Sequence, residues 1–203
     1  MRSTQFILIR HGQTIWNFEG RLQGHLDSPL TELGLLQTER IADRLASQPH
    51  HAIYSSDLQR TSQAAKLIAE KTGNSVVMDK RLRERNYGIL EGLTRTEMKE
   101  KYPKEFSLLQ SGEPDYAIPE GETESNFFKR CVACLEDLAQ RHTGQTILVV
   151  THLGVLNCLF RHVLGIPLDA PRRFKALEGS LNSIYFKRGV WVLETWGDVS
   201  HLK

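Results

Sequence analysis

A chain of 203 residues suits one domain with a sizeable core, and 40% hydrophobic and 25% charged residues are ordinary for a globular fold. The formal net charge of +2 argues against nucleic acid or a membrane surface as partner, so any anion site must concentrate its charge locally. Three cysteines are too few, and odd in number, for a disulfide framework, and no apolar stretch approaches the roughly 20 residues of a spanning helix. The short run Phe6-Ile7-Leu8-Ile9 ends in Arg10-His11 and does not read as a signal peptide. A reduced, cytoplasmic location is expected.

In chain order, 5–10 reads as a buried strand and 31–47 as an amphipathic helix, with Thr31 as N-cap before Glu32. A buried strand over 52–55 leads to a helix over 57–72 that stops at Gly73, and another buried strand follows at 75–78. The stretch 93–121 breaks this alternation. It is polar and irregular, with Pro103, Gly112, Pro114 and Pro119, and predicts a lid or specificity segment with a short helix near 95–101. The pattern over 124–142 is helical and carries Cys131 and Cys134; i and i+3 spacing favours two small core-facing residues over a redox or metal C-x-x-C. A buried strand at 146–151 precedes a helix at 154–164 that ends at Gly165, with Pro167 beyond. Strands at 183–187 and 190–196 flank a tight turn at Arg188-Gly189. The expected fold is one α/β domain spanning 1–203, a three-layer α/β/α sandwich with a largely parallel central sheet.

Each predicted parallel strand ends in polar residues. The first runs into Arg10-His11-Gly12, the second into Ser56-Asp57 with Arg60 on the next helix. The third leads to Arg83-Glu84-Arg85, and the fourth to Thr151-His152. Parallel strands of an open sheet carry their ligands at the carboxyl edge, so these groups should meet in one pocket. Guanidinium forks match phosphate oxygens, and a neutral imidazole is a competent nucleophile toward phosphorus. Two histidines and a carboxylate also suit a metal, but Arg10 and Arg60 at the same edge would repel a divalent cation. Gly12 fits a sharp turn with close backbone approach to a ligand.

These segments resemble the histidine phosphatase superfamily, which includes the cofactor-dependent phosphoglycerate mutases. Leu8-Ile9-Arg10-His11-Gly12-Gln13-Thr14 with Trp16-Asn17 is similar to the family's opening signature. Asp27-Ser28-Pro29-Leu30-Thr31, Tyr54 to Thr61, Leu82-Arg83-Glu84 with Gly88 and Glu91-Gly92, and Val150-Thr151-His152 follow in order. The resemblance implies a phosphoglycerate mutase-like sandwich and a metal-independent phosphomonoesterase that needs no cofactor. In that reading His11 is the nucleophile that becomes phosphohistidine. Arg10, Arg60 and His152 hold the phosphoryl oxygens, and Glu84 is the proton donor and then the base. Asn17 and Gln23 match positions that hydrogen-bond the phosphoryl group, and Gly12 and Leu153 join them as substrate-binding candidates. Leu153 departs from the family's usual second glycine and puts a side chain at that turn.

The resemblance also bears on which branch this is. The mutases look longer and carry an insertion with paired arginines. Here 93–121 has Arg95 and scattered lysines without such a pair, and Pro119-Glu120-Gly121-Glu122-Thr123 looks like the phosphatase-branch motif. Hydrolysis of small phosphorylated metabolites is the expected activity. Phosphoglycerate mutase is the alternative, kept open by Arg85-Asn86-Tyr87-Gly88. A non-catalytic phospho-ligand binder is a third reading, against which both His11 and Glu84 are present. Glu91 and Asp57 compete with Glu84 as the acid, and Trp16, Phe18, Tyr87 and Tyr116 are candidates for either an apolar approach or packing.

Overall fold

The computed structural model describes residues 3–171 and 173–203. Its strands are Thr4–Arg10 (β1), Ala52–Ser55 (β2), Val76–Met78 (β3), Thr146–Thr151 (β4), Leu181–Lys187 (β5) and Val190–Asp198 (β6). They form one sheet in the order β3-β2-β4-β1-β5-β6. The β3-β2-β4-β1 neighbours pair in parallel, whereas β5 is antiparallel to β1 and β6 to β5. The helices are Ile15–Glu19 (α1), Glu32–Ala46 (α2), Gln59–Thr72 (α3), Arg95–Lys101 (α4), Pro103–Ser111 (α5), Glu124–Arg141 (α6) and Leu153–Leu164 (α7). No helix of the described residues is long and apolar enough to cross a membrane.

Strand pleating sorts the apolar residues into two cores. Phe6 and Leu8 of β1, Tyr54 of β2, and Ile147 and Val149 of β4 face one layer. That layer is built by Phe127, Cys131, Cys134 and Leu138 of α6 and by Val155, Leu156 and Leu159 of α7. Ile7 and Ile9, Ile53, and Leu148 and Val150 face the other, against Ile41, Ala42 and Leu45 of α2 and Ala64, Ala65 and Ile68 of α3. Each fully buried aliphatic or aromatic side chain contributes roughly 1.5–3 kcal/mol, so the side-chain period of two locks the strand register. This is the expected three-layer α/β/α sandwich. Cys131 and Cys134 are core-facing, and all three cysteines are buried as free thiols.

Several boundaries differ from expectation for identifiable reasons. The third strand is not buried: β3 is the sheet edge, and Val77 and Met78 are half-exposed. The helix expected from 57 begins at Gln59, because Asp57 is drawn into a bidentate pair with Arg83. Its end is capped from outside by Asp27, which accepts from the Gln59 N–H at 2.6 Å. The segment 93–121 is more ordered than its composition suggests. Pro103 opens α5 instead of breaking a helix, since proline at the first helical position loses no hydrogen bond. With α4 it covers a small separate core of Leu90, Met98 and Ile118, joined by Tyr102, Phe106, Leu109 and Tyr116. The short α1 also escapes the apolar pattern. It is set by a capping box in which Thr14 and Asn17 satisfy one another's backbone.

One close contact positions the loop that follows β1. A Cβ on Gly12 would stand 2.2 Å from the Gly34 carbonyl oxygen, and a Cβ on Gly34 would stand 2.0 Å from that of Gln13. The loop after β1 therefore lies backbone to backbone on the first turn of α2, where Thr31 caps the Gly34 N–H at 3.0 Å and donates to the Gln13 side chain at 3.0 Å. Gly34→Ala tests the contact. Alanine gains up to about 1 kcal/mol of helix propensity, but overpacking costs typically 1–3 kcal/mol and here neither partner is a movable side chain. We expect a net loss of at least ~1 kcal/mol in urea unfolding. An unchanged or raised midpoint would contradict the contact.

Candidate active site

β1 and β4 end side by side, Arg10 in register with Thr151, which brings Arg10, His11 and His152 to one edge. His11 is buried, and its Nδ1 lies 2.8 Å from the Gly12 carbonyl oxygen. A carbonyl only accepts, so Nδ1 carries the proton and the Nε2 lone pair is left available. Arg10 donates to the Ala176 carbonyl at 2.6 Å and pairs with Glu178 at 2.6 Å. His152 is fully buried, its ring edge-on to His11 with centroids 5.3 Å apart. Neither of its ring nitrogens has a hydrogen-bond partner among the described residues.

Arg60 reaches the same place from the first turn of α3. Its guanidinium is held by Asp27 at 2.6 Å and by the carbonyls of Leu26 and Gly24 at 2.9 and 2.7 Å. Its Nε is buried with no partner among the described residues. Burial, and then the Arg60 and Arg10 charges, hold the His11 pKa well below the ordinary histidine value, against a smaller opposing pull from the Gly12 carbonyl. His152 is depressed the same way, by burial first and then chiefly by Arg60. Both imidazoles are therefore neutral near pH 7.

The three candidate carboxylates have separate surroundings. Asp57 is locked to Arg83 by two 2.6 Å bonds, which hold its carboxyl below the usual range. Glu91 accepts from the backbone N–H groups of His25, Leu26 and Tyr87, each at 2.8 Å, and so clamps the loop that orients Asp27. Glu84 accepts from the N–H groups of Arg85 at 2.8 Å and Gly154 at 2.9 Å, and of the three it alone faces the cavity. A Cβ on Gly154 would stand 2.0 Å from the Glu84 carboxylate, so this approach requires glycine at 154, whereas Leu153 is free to carry a side chain. Behind Glu84, Arg130 donates to the carbonyls of Arg81, Arg83 and Glu84 at 2.8–2.9 Å and pairs with Glu122 at 2.6 Å.

These groups surround a cavity of about 250 Å³ lined by Arg10, His11, Asn17, Gln23, Arg60, Glu84 and Leu153. Seven of the nine residues singled out from the sequence thus share one wall. Gly12 and His152 lie beneath it, Gly12 as the acceptor for His11 and His152 against the His11 ring. Asn17 spends its Oδ1 on the Thr14 N–H and hydroxyl, which leaves its amide nitrogen as the end for a ligand. Of the aromatic candidates only Tyr87 lines the cavity; its phenol is held protonated by burial and by the Glu84 charge. Trp16 lies against Gly92, Phe18 is 78% exposed, and Tyr116 joins the small core under α4 and α5. Missed from the sequence were Arg21, Leu22, Gly24 and Asn157 in the wall, and the supporting Glu178 and Arg130. Asn157 alone left a readable mark, as a polar residue in the otherwise apolar start of α7.

Comparison with known proteins identifies the family and the fold. The model of the histidine phosphatase superfamily (branch 1) matches residues 6–199. A metal-independent phosphoserine phosphatase of Arabidopsis thaliana is 38% identical over 98% of this chain and 83% of its own length. A probable phosphoglycerate mutase of Yersinia pestis (strain Pestoides F) is also 38% identical, over 98% of this chain and 94% of its own. Among solved structures, YhfR of Bacillus stearothermophilus superposes with a TM-score of 0.91 at 33% identity, covering 98% of this chain and 100% of that one. With the family model spanning nearly the whole chain and the cavity at the strand ends, this protein belongs to the histidine phosphatase superfamily.

Proposed function

We propose that this protein hydrolyses small phosphomonoesters through a phosphohistidine on His11, without a metal ion or other cofactor. The observation that carries the reading is a neutral His11 imidazole, proton fixed on Nδ1, facing a cavity walled by two buried guanidiniums and the Glu84 carboxyl. His11 Nε2 attacks phosphorus, and the P–O bond to the alcohol breaks as Glu84 gives the leaving oxygen its proton. Glu84, now a carboxylate, takes a proton from water, which attacks the phosphohistidine, breaks the P–N bond and releases inorganic phosphate. Arg10, Arg60 and His152 stabilise the charge spread over the equatorial oxygens, and Asn17, Gln23 and Gly12 help to seat them. Segment 93–121 serves as a specificity lid within a single domain. We place the enzyme in the cytoplasm, acting on free metabolites without nucleic acid. Three free thiols and a near-neutral net charge support that placement.

The related probable mutase sustains a second reading, in which the phosphoryl group returns to the substrate. Incubation with 3-phosphoglycerate separates the two: we expect phosphate release without isomerisation. His11→Ala should lower turnover by more than about 10³-fold while thermal unfolding changes little, and acid-labile labelling of the protein by a ³²P ester should vanish. Comparable turnover in that variant would remove His11 as nucleophile.

Glu84→Gln preserves size but cannot cycle a proton. In burst kinetics the phosphorylation step should slow by about 10²–10⁴-fold for alkyl phosphates and far less for p-nitrophenyl phosphate, whose leaving group needs no proton. Equal losses on both esters would make Glu84 a positioning group.

The depressed histidines give a pH signature. Their imidazole NMR signals in the ligand-free protein should not titrate around pH 6.5 but only well below it. The sign for stability follows: below about pH 6.5 the unfolded chain binds protons that the folded one refuses, so stability is full above that pH and falls on acidification. Midpoints at or above 6.5 would refute the buried neutral pair.

A further inference from the structure

Arg10 and His11 both lean on the turn that precedes β5. The Arg10 guanidinium meets the Ala176 carbonyl and the Glu178 carboxylate, and the Arg10 N–H donates to the Ser180 carbonyl at 3.2 Å. The Gly179 N–H donates to the His11 carbonyl at 3.2 Å. The turn has little of its own to fix it. Its backbone closes through the Ser180 N–H on the Leu177 carbonyl at 3.1 Å, Gly179 is left-handed at φ 68°, and Leu177 is half-exposed. Its position is therefore set from outside.

Outside support comes from beyond β6. A 3₁₀ turn at Ser200–Leu202 follows that strand and is bound to α2 through Arg44. The Arg44 guanidinium pairs with Asp198 and donates to the Ser200 hydroxyl at 2.9 Å and to His201 Nδ1 at 3.2 Å. Across the same ring, His201 Nε2 lies 2.9 Å from the Gly179 carbonyl oxygen. A guanidinium only donates and a carbonyl only accepts, so both neighbours demand one neutral tautomer, with its proton on Nε2. Burial, helped by the Arg44 charge, holds the His201 pKa below the ordinary histidine value against the pull of the Gly179 carbonyl and Asp198. Leu202 closes in beside the bond: a Cβ on Gly179 would stand 3.4 Å from Leu202 Cδ1 and 3.2 Å from Gln37 Cβ. Tying the 3₁₀ turn to α2 needs only the Arg44 side of this ring. The bond from the other nitrogen is the one that reaches toward the site.

We infer that His201 is a positioning residue for the active site: through Gly179 it sets the turn that aims Glu178 at Arg10 and anchors the main chain of His11. It does not line the cavity. The inference rests on the phosphatase reading, in which Arg10 and His11 handle the phosphoryl group. Two substitutions separate the two sides of the ring. His201→Gln offers an N–H near the position of Nε2 and an oxygen toward Arg44. His201→Asn is one methylene shorter, keeps an acceptor for Arg44 and falls short of Gly179. Assayed with p-nitrophenyl phosphate well below their thermal midpoints, His201→Gln should turn over at least about tenfold faster than His201→Asn, within the roughly 10²-fold that a displacement of about 1 Å can cost. Should His201→Asn fail to fold, His201→Leu, which has no donor, takes its place in the comparison. A smaller gap, whether both variants are active or both impaired, would overturn the inference and leave the phosphatase reading standing. If the unaltered protein hydrolyses no ester, the phosphatase reading falls, and the same order is expected in affinity for inorganic phosphate by titration calorimetry. An unaltered protein that neither hydrolyses esters nor binds phosphate would bring down both.

Discussion

The site is organised around two cations kept out of water beside two imidazoles that must stay neutral. An uncompensated buried charge costs several kcal/mol, and Arg60, 1% exposed, is among the least accessible side chains of the molecule. The cost is offset by geometry: Asp27 and two carbonyls for Arg60, Glu178 and one carbonyl for Arg10. These acceptors hold the guanidiniums from behind. Together with burial, which is the larger cause, both charges also keep His11 and His152 neutral, so the proposed nucleophile and the groups proposed to hold the phosphoryl oxygens depend on one arrangement. A phosphate dianion entering the cavity meets a field that is already in place and needs little reorganisation.

The frame of the fold and the centre of the site were legible in the sequence because both follow from short, periodic runs. A strand such as Phe6 to Ile9 declares its two buried faces, and the residue after its end must lie at the sheet edge. What stayed hidden depends on long-range contacts. Nothing local says that Glu178 will meet Arg10 or that Arg130 will reach three carbonyls of the 81–84 segment. Pro103 gave no sign of α5, because proline is a breaker within a helix and an initiator at its start, and sequence alone does not say which position it takes. The exposed face of β3 was invisible for a similar reason: valine and methionine mark a strand but not its place in the sheet.

The carboxylates show how partners separate roles that residue type cannot. Asp57, Glu84 and Glu91 lie in neighbouring signature segments and are chemically alike. One neutralises an arginine, one gathers three backbone N–H groups to shape a loop, and one is held at the cavity by two. Glu84 is fixed on both oxygens by backbone, so its placement depends on main-chain geometry instead of on a mobile side chain. Thr151 adds to this by donating to the Leu82 carbonyl at 3.0 Å, tying the end of β4 to the segment that carries Glu84.

The small core under α4 and α5 has a consequence for how such an enzyme diversifies. Leu90, Met98 and Ile118 pack apart from both faces of the sheet. Substitutions at separate, non-touching sites combine almost additively, so changes within this patch leave the energetics of the sheet largely untouched. If the segment serves as the proposed lid, its shape can vary without disturbing the strand ends that carry His11 and His152.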